Sequence, residues 1–357
     1  MRDIEVLRKG NRLSIGDLKQ RQSLPLEQKI LKSIRTIEDF YNLTGGECYI
    51  STSGADSCVL DWLVKQTFCD KYIKRVSVAG AEPVENIKLL HNRGDMLLPC
   101  TTNKKQVIRD WGYPLISKSV AMKLSRYHRT KSQEQKDKRI NGYIGNNGKL
   151  VTNGMIPKKY QELIYAPFEF SEKCCDKFKK KPLKEYEKKS LNFPITGELA
   201  EESKDRKSNY LKHGCINITS ERNKCTPMGF WTKLDILECI KRYNIEISAL
   251  YGEVVKDEET GLLKFSKEQR TGCDICGFGL LFDLERLDRF KERHPKQYAH
   301  MMEGGEWIQK EIYRPMKFYP TDKIQVTNWY WVPNEEGYGY KFVLEYLFEV
   351  LGIEKQL

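Results

Sequence analysis

The 357-residue sequence contains no apolar run near the ~20 residues that a membrane-spanning helix needs. Residues 1–9 lack the apolar core of a secretory signal, so we expect a cytosolic protein with no membrane partner. Histidine is scarce, and the five histidines show no spacing typical of metal ligands. No cysteine follows Cys276, which excludes a reactive thiol in the C-terminal tail of this sequence.

Cysteine and positive charge are abundant by contrast. Eleven cysteines are many for a reducing cytosol, where disulfides are rare, and their odd number argues against complete pairing. Some of these thiols are therefore candidates for metal or cluster ligation, or for redox chemistry. Lys and Arg number 61 against 49 Asp and Glu, giving a net charge of +12 that favours a polyanionic partner.

Apolar periodicity predicts an α/β fold: a Rossmann-like parallel sheet with helices on both faces, an N-terminal helical extension and a C-terminal α-rich cap. Strands are predicted at 48–52, 73–79, 96–100, 113–117 and 193–197, and helices at 56–68, 233–243 and 341–351. The predicted divisions are an extension at 1–40, a nucleotide-binding domain with the cysteines at 41–285, and a cap at 286–357.

Residues 49–60 are predicted to form a strand, a turn of small residues and a helix. Small residues let backbone N–H groups approach a phosphate, and the helix N-terminus adds partial positive charge. The hydroxyls of Thr52 and Ser57 would add hydrogen bonds, and Asp56 would cap the helix or hold Mg²⁺. An ordinary turn with Asp and Ser capping is the alternative.

The cysteine spacing is a second signal. Cys273 and Cys276 form a C-x-x-C turn, and the adjacent Cys174 and Cys175 could complete a shell of four thiolates. Spacing does not separate Zn²⁺ from an iron–sulfur cluster, since both accept four thiolates. Five other thiols are interpreted as buried structural residues: Cys48, Cys58, Cys69, Cys100 and Cys239.

Two further segments carry charge near predicted strand ends or on the surface. In segment 197–206, Glu201 is a candidate for Mg²⁺ or an amide network, and Arg206 for a phosphate or sulfate clamp. A charged helix start is the alternative.

The basic stretch 126–139 is interpreted as a surface that would hold a nucleic acid.

Residues 52–57 resemble the SGGxDS loop of the PP-loop ATP pyrophosphatases, and of the phosphoadenosine phosphosulfate (PAPS) reductase family within that superfamily. The match lies at Gly54, Asp56 and Ser57. Thr52, Ser53 and Ala55 depart from the pattern. Further segments resemble phage and bacterial members in the same order, over residues 18–303: 18–27, 112–118, 171–176, 197–203 and 271–279.

The resemblance implies that ATP or a related adenine nucleotide, with Mg²⁺, binds at the carboxyl ends of the strands. The implied nucleotide-binding residues are Thr52, Ser53, Gly54, Asp56, Ser57, Gly80, Glu82, Gly197 and Glu201, and the implied catalytic residues are Asp56, Ser57 and Arg206. Adjacent cysteines followed by C-x-x-C resemble the pattern of [4Fe-4S] adenosine phosphosulfate reductases. This implies a cluster, with zinc as the alternative, on Cys174, Cys175, Cys273 and Cys276, and with Cys215 as an alternate ligand.

The resemblance leads to three functional hypotheses. The first is an ATP-dependent sulfur- or adenylyl-transferase acting on DNA, tRNA or a small acceptor, with a sulfur-donor protein, in bacterial or phage-infected cytosol. The second is a nucleotide- or nucleic-acid-binding protein without catalysis on an eroded PP-loop fold. The third is a true sulfonucleotide reductase, against which the lack of a thiol after Cys276 argues.

Overall fold

The computed structural model describes residues 12–69, 72–218, 223–273, 276–315 and 323–355. Within these ranges, no helix has both the length and the apolar character required to cross a membrane.

The helices begin and end at the following residues: α1, Ile15–Gln22; α2, Leu26–Leu43; α3, Ala55–Thr67; α4, Val84–Asn92; α5, Lys104–Trp111; α6, Lys118–Arg129; α7, Gln133–Asn141; α8, Lys173–Cys175; α9, Lys181–Ser190; α10, Lys204–His213; α11, Lys233–Tyr243; α12, Arg286–Arg293; α13, Pro295–Met302; and α14, Tyr340–Leu351. A π-helical turn, Asp176–Lys180, joins α8 to α9.

The strands have these bounds: β1, Cys48–Ser51; β2, Lys74–Val78; β3, Met96–Leu98; β4, Leu115–Ile116; β5, Tyr143–Ile144; β6, Leu150–Val151; β7, Phe193–Thr196; β8, Ile216–Asn217; β9, Lys224–Cys225; β10, Val254–Lys256; β11, Leu263–Phe265; β12, Gly277–Phe278; β13, Glu306–Pro315; and β14, Lys323–Val332.

The chain divides into two compact units, each built from two segments. Unit 1 comprises Met1–Cys100 and Pro182–Cys273, and unit 2 comprises Thr101–Lys181 and Asp274–Leu357. The units are defined by contacts, whereas the divisions after residues 40 and 285 come from sequence patterns and stay a prediction.

Unit 1 contains a six-stranded sheet in the order β3-β2-β1-β7-β9-β8. The first five strands are parallel, and β8 runs antiparallel to β9 at the edge. From β1 the chain builds outward on one side to β2 and β3, and later on the other side to β7 and β9. The order therefore reverses between β1 and β7. This parallel, helix-flanked arrangement confirms the predicted Rossmann-like α/β fold.

Local sequence explains the elements at the centre of unit 1. Strand β1 is buried on both faces, as a central parallel strand requires, with Tyr49 and Ile50 at 0% and 1% exposure. In α3, Val59, Leu60 and Leu63 recur at helical spacing and are fully buried. Because these side chains face the core, α3 packs against the sheet with its N-terminus next to the end of β1.

In unit 2, the strand predicted at 113–117 forms, but as the short β4 outside the six-stranded sheet. Leu115 and Ile116 pair in parallel with Gly277 and Phe278 of β12. An apolar run encodes a buried strand, whereas its partner depends on which distant segment packs beside it. The core of unit 2 includes Tyr113 and the buried face of α14.

Two surface elements of unit 2 come from the polar stretch after α6. Helix α7 has no buried residue among those described, and β5 and β6 form a two-residue hairpin ladder. The C-terminal region contains the long antiparallel hairpin of β13 and β14 in addition to its helices.

Candidate functional site

The loop between β1 and α3 lies beside the point at which the strand order of unit 1 reverses. In open α/β sheets, ligands bind at the carboxyl ends of the strands at this point. Gly54 is the N-cap of α3. A Cβ at this position would lie 2.5 Å from Tyr251 Oη and 2.9 Å from Thr271 Oγ1, so the packing around the loop requires glycine.

The backbone N–H groups of the loop are held by side-chain oxygens of unit 1. Ser53 N–H donates to Ser57 Oγ at 2.9 Å, and the Ser57 hydroxyl donates to the Gly54 carbonyl oxygen at 2.7 Å. Ala55 N–H, at the start of α3, donates to Tyr251 Oη at 2.9 Å. The tyrosine oxygen thus occupies the position that an anion oxygen would take at this N–H group.

Tyr251 is a residue that the sequence analysis missed. It is 3% exposed, and its burial raises the pKa of the phenol, which keeps the hydroxyl neutral. Its hydroxyl also shares a hydrogen bond of 2.9 Å with Thr271 Oγ1. Nothing in the local sequence pairs Tyr251 with a loop nearly 200 residues earlier, because this contact depends on tertiary packing.

Glu82 connects the end of β2 to the same loop. Its carboxylate is nearly buried, and it accepts hydrogen bonds from Ser53 Oγ at 2.7 Å and from Asn86 Nδ2 at 3.0 Å. Gly80 lies in the 3₁₀ turn that precedes Glu82. Asn86 was missed, because no helix was predicted after Glu82, and the spacing of four residues brings the two side chains together only when the chain turns into α4 between them.

Asp56 and Glu201 are connected through Lys233. Lys233 Nζ lies 3.4 Å from Asp56 Oδ1, and the backbone N–H of Lys233 donates to Glu201 Oε1. The end of β7 also contacts this helix start, since a Cβ on Gly197 would lie 3.0 Å from the Asp56 carbonyl oxygen. Lys233 was missed, although a lysine in the first turn of a helix is unfavourable next to the dipole and so was a signal of another role.

Three hydroxyl oxygens are buried at this edge of the sheet without a hydrogen-bond partner among the described residues: Thr52 Oγ1, Ser77 Oγ and Thr196 Oγ1. Ser51 is the register partner of both Val76 and Thr196, so Thr52 lies at the level of Ser77, whereas Thr196 lies one residue earlier and its side chain leaves the opposite face of the sheet from Ser77. Buried polar atoms are nearly always paired, and the exceptions call for an explanation.

The structure brings most of the predicted site residues together. Contacts within unit 1 connect Ser53, Gly54, Asp56, Ser57, Glu82, Gly197 and Glu201. Arg206 is the exception. Its guanidinium forms an ion pair with Glu202, four residues earlier, and among the described residues it contacts no other member of the predicted site.

Three of the predicted ligand thiols occupy one region of unit 2. Burial raises the pKa of the Cys276 thiol, and the nearby Cys175 raises it further. Cys174 and Cys276 both lie near the buried hydroxyl of Tyr340, whose pKa is raised by burial first and by these thiols next. Ile116, in the strand beside Cys276, has a φ of 66°, a strained conformation for a β-branched residue.

The other two candidate thiols belong to unit 1. Cys273 Sγ lies 3.1 Å from the Ala81 carbonyl oxygen. Cys215 is buried in the core beside Cys225, whose pKa is raised by its burial and then by the thiols of Cys215 and Cys48. In the part of the chain that the structure describes, no three Cys, His, Asp or Glu side chains are arranged to hold a metal ion.

Comparison with known proteins gives one structural likeness to report. No protein-family model matches the sequence, and no curated protein matches it. Among solved structures, the chain is similar to a phosphoadenylyl-sulfate (PAPS) reductase from Candida auris in a phosphate complex, at 11% identity and a TM-score of 0.32. The match covers 67% of this chain and 91% of that chain. Because the score is low, the fold rests on the strand pairing of unit 1.

Proposed function

We propose that unit 1 binds an adenine nucleotide at the carboxyl edge of its sheet, beside the ends of β1 and β7. The buried, unpartnered hydroxyls of Thr52 and Ser77, at one level of adjacent strands, carry this proposal, and the unpartnered hydroxyl of Thr196 lies at the end of the neighbouring β7. A buried polar group left unpaired costs about 1–3 kcal/mol, and the oxygens and nitrogens of a nucleotide would supply the partners. The resemblance of the 52–57 loop implies that the base of this nucleotide is adenine.

The charges beside the loop suit the phosphates of such a ligand. Lys233 would attract phosphate oxygens, while Asp56, 28% exposed, would hold Mg²⁺. A phosphate oxygen that reached the Ala55 N–H group would replace Tyr251 Oη there. Binding would therefore involve an exchange of one neutral acceptor for a charged one, which makes the stronger hydrogen bond.

For the reaction, we propose ATP-dependent sulfur or adenylyl transfer to a nucleic acid or a small acceptor. An acceptor nucleophile would attack the α-phosphorus, the bond from that phosphorus to the bridging oxygen would break, and pyrophosphate would leave. Asp56 and Ser57, at the start of α3, and Arg206 are the proposed catalytic residues. If sulfur is the transferred group, a sulfur-donor protein would be a partner, and its sulfide-level sulfur would form a bond to the adenylated acceptor atom as the bond from that atom to the AMP oxygen breaks and AMP leaves.

A second candidate function is nucleotide binding without turnover. The hydrogen bonds of the loop favour it, since the N–H groups of Ser53 and Ala55 already have side-chain acceptors in Ser57 and Tyr251. Pyrophosphate release from ATP, measured with and without DNA or tRNA, separates the two candidates. Release that depends on an acceptor supports transfer, and tight binding without release under all of these conditions supports binding alone.

We propose separately that Cys174, Cys175, Cys273 and Cys276 hold a [4Fe-4S] cluster, with zinc as the alternative metal and Cys215 as the alternate ligand. The support is the shared region of Cys174, Cys175 and Cys276 in unit 2, together with the C-x-x-C spacing. Such a cluster would bind or relay sulfur, or stabilise the surrounding structure.

Anaerobic purification tests the cluster. The protein should be brown, with broad absorbance near ~400 nm, and Cys276→Ser should lose iron. Cys69→Ser, at an exposed thiol of unit 1, is the matched control and should retain it. Zinc without iron in the elemental analysis would reject the cluster in favour of the zinc site.

Valine substitutions test the nucleotide site, because they remove the hydroxyl and keep the shape. Thr52→Val should weaken ATP binding about tenfold in calorimetry while the melting temperature stays equal or rises, since the lost hydroxyl has no protein partner. Thr36→Val is the control: its hydroxyl donates to the Lys32 carbonyl at 2.8 Å, so stability should fall and ATP affinity should not change. Unchanged affinity in Thr52→Val and in Asp56→Ala would contradict the proposed site.

A further inference from the structure

We infer that unit 2 binds the phosphodiester backbone of a nucleic-acid strand in a cavity formed by α6, α7 and the start of α8. The cavity has a volume of about 380 Å³, and its charged lining consists of Arg126, Arg129, Arg139, Lys173 and Glu172. The inference deepens the proposed function, since it gives the nucleic-acid acceptor a place in unit 2, and none of these residues belongs to the nucleotide site of unit 1, so the two sites can be tested separately.

The arginines of this cavity have no carboxylate partner among the described residues. Arg129 donates to the Trp111 carbonyl at 3.1 Å, and Arg139 donates to the Gly154 carbonyl at 3.0 Å. The guanidinium of Arg126 makes neither a hydrogen bond nor an ion pair with any residue that the structure describes, and only its backbone takes part in the helix. The carboxylate of the cavity, Glu172, has one oxygen 3.3 Å from Lys173 Nζ. Positive charge therefore remains uncompensated.

Repulsion between the cations is a second sign of this imbalance. Burial lowers the pKa of Arg139, and Arg126 lowers it further. Lys123 is affected in the same way, by burial first and then by Arg139. A bound anion would relieve this repulsion, since it would place negative charge among the guanidinium groups.

Phosphate suits the side chains of this cavity. A guanidinium offers parallel N–H donors that match two phosphate oxygens, and this is the reason that arginine predominates where phosphates are recognised. Arg129 is already oriented, since its guanidinium carbon lies 4.4 Å from the centre of the Trp111 ring. The cavity is lined by charged and small polar side chains, which do not suit a lipid chain or an apolar peptide.

Cations also continue along α6 beyond the cavity lining. Lys123, Arg126 and Arg129 recur every three residues and span about 9 Å along the helix axis at 1.5 Å per residue. This length exceeds the ~3.4 Å axial rise per nucleotide of one duplex strand, so the helix is long enough to meet more than one phosphate of a strand.

Binding of a fluorescein-labelled single-stranded oligonucleotide to the full-length protein tests the inference. In anisotropy titrations over a series of salt concentrations, Arg126→Ala should bind about tenfold more weakly, and the slope of log Kd against log salt should fall by about one. Arg126→Lys should recover part of the affinity. Arg35→Ala is the matched control, since Arg35 is an exposed arginine on α2 of unit 1, and it should bind as the unsubstituted protein does.

Three outcomes would overturn the inference. Equal losses in Arg126→Ala and Arg35→Ala would indicate diffuse attraction to a basic protein. Displacement of the oligonucleotide by inorganic triphosphate at an equal phosphate concentration would indicate a site for small anions. Binding to vesicles with anionic headgroups in preference to the oligonucleotide would indicate a membrane surface. ATP affinity, measured in parallel, should be the same in Arg126→Ala, so a failure of the unit 1 site would be seen separately.

Discussion

Unit 1 and the α6–α7 cavity of unit 2 differ in whether their arginines have carboxylate partners. In unit 1, the fully buried carboxylate of Asp95 accepts from Arg75 at 2.9 Å and from Arg93 at 2.8 Å. In unit 2, the cavity arginines face each other with no carboxylate partner in the described structure. Paired charges can be buried within a core because each charge has its partner. Unpaired cations at a cavity repel each other and lower stability, and a bound anion would remove this cost.

The largest expected effect comes from breaking the charge network of unit 1. Asp95→Ala would leave the guanidinium groups of Arg75 and Arg93 buried without their shared carboxylate. We expect the free energy of unfolding to fall by about 3–5 kcal/mol, measured by denaturant titration. Glu134→Ala, which removes an exposed pair with Lys138 in unit 2, is the control and should change little. Equal losses of unfolding free energy in the two variants would contradict the idea that the buried charge network of unit 1 contributes more to stability than the exposed pair of unit 2.

A second, smaller loss of stability is expected when the buried lysine of α2 is replaced. Lys29 is 2% exposed, and its Nζ lies 2.8 Å and 2.7 Å from the two carboxylate oxygens of Asp235. Lys29→Met should cost about 2–3 kcal/mol, since Asp235 keeps its hydrogen bonds to Thr232. Thermal unfolding checks this value. The double variant with Asp235→Asn should be more stable than the single variant, and a less stable double variant would argue against an isolated pair.

At Gly54 the loop of unit 1 leaves no room for a side chain, in contrast to the open cavity of unit 2. Gly54→Ala should therefore cost about 1–3 kcal/mol, because its Cβ would lie 2.5 Å from Tyr251 Oη. Tyr251→Phe removes this oxygen, and combined with Gly54→Ala it should recover part of the loss in denaturant titrations. If the double variant recovers nothing, the clash with Tyr251 is not the cause.

The smallest effect on stability is expected at the cavity of unit 2. Arg126→Ala removes a cation that has no described partner and that repels Arg139. The free energy of unfolding should change by less than about 0.5 kcal/mol, and we expect the change to be a gain because the repulsion with Arg139 is removed. A loss of several kcal/mol in denaturant titration would show that Arg126 has a structural partner and would break the comparison.

Much of the fold of unit 1 could be predicted because its signals are local. The apolar spacing of 56–68 and 233–243 predicted α3 and α11 with nearly the observed bounds. The same holds for β1 and β7, whose apolar runs are bounded by small residues. The partner of the strand at 113–117 could not be predicted in this way, since pairing across more than 150 residues depends on packing.

The candidate site was predicted in part for the same reason. The small residues at 52–57 follow the end of β1, as the sequence pattern predicted, and Glu82, which the resemblance implied, contacts the same loop through Ser53. Asn86 and Lys233 were missed because a side chain joins this site through the packing of its whole helix. Arg206 was assigned to the site because it belongs to segment 197–206. In the structure its guanidinium forms an ion pair with Glu202.

The sequence by itself determined the strand, turn and helix of the 49–60 segment, because steric and hydrogen-bonding preferences act over a few residues. It also determined the C-x-x-C spacing and the excess of positive charge. Only the tertiary structure decided that Tyr251 would be the acceptor for Ala55 N–H and that Arg126 would face other cations in a cavity. A backbone donor or a charge interacts with whatever lies within a few ångströms of it, and for these groups long-range packing selects that neighbour.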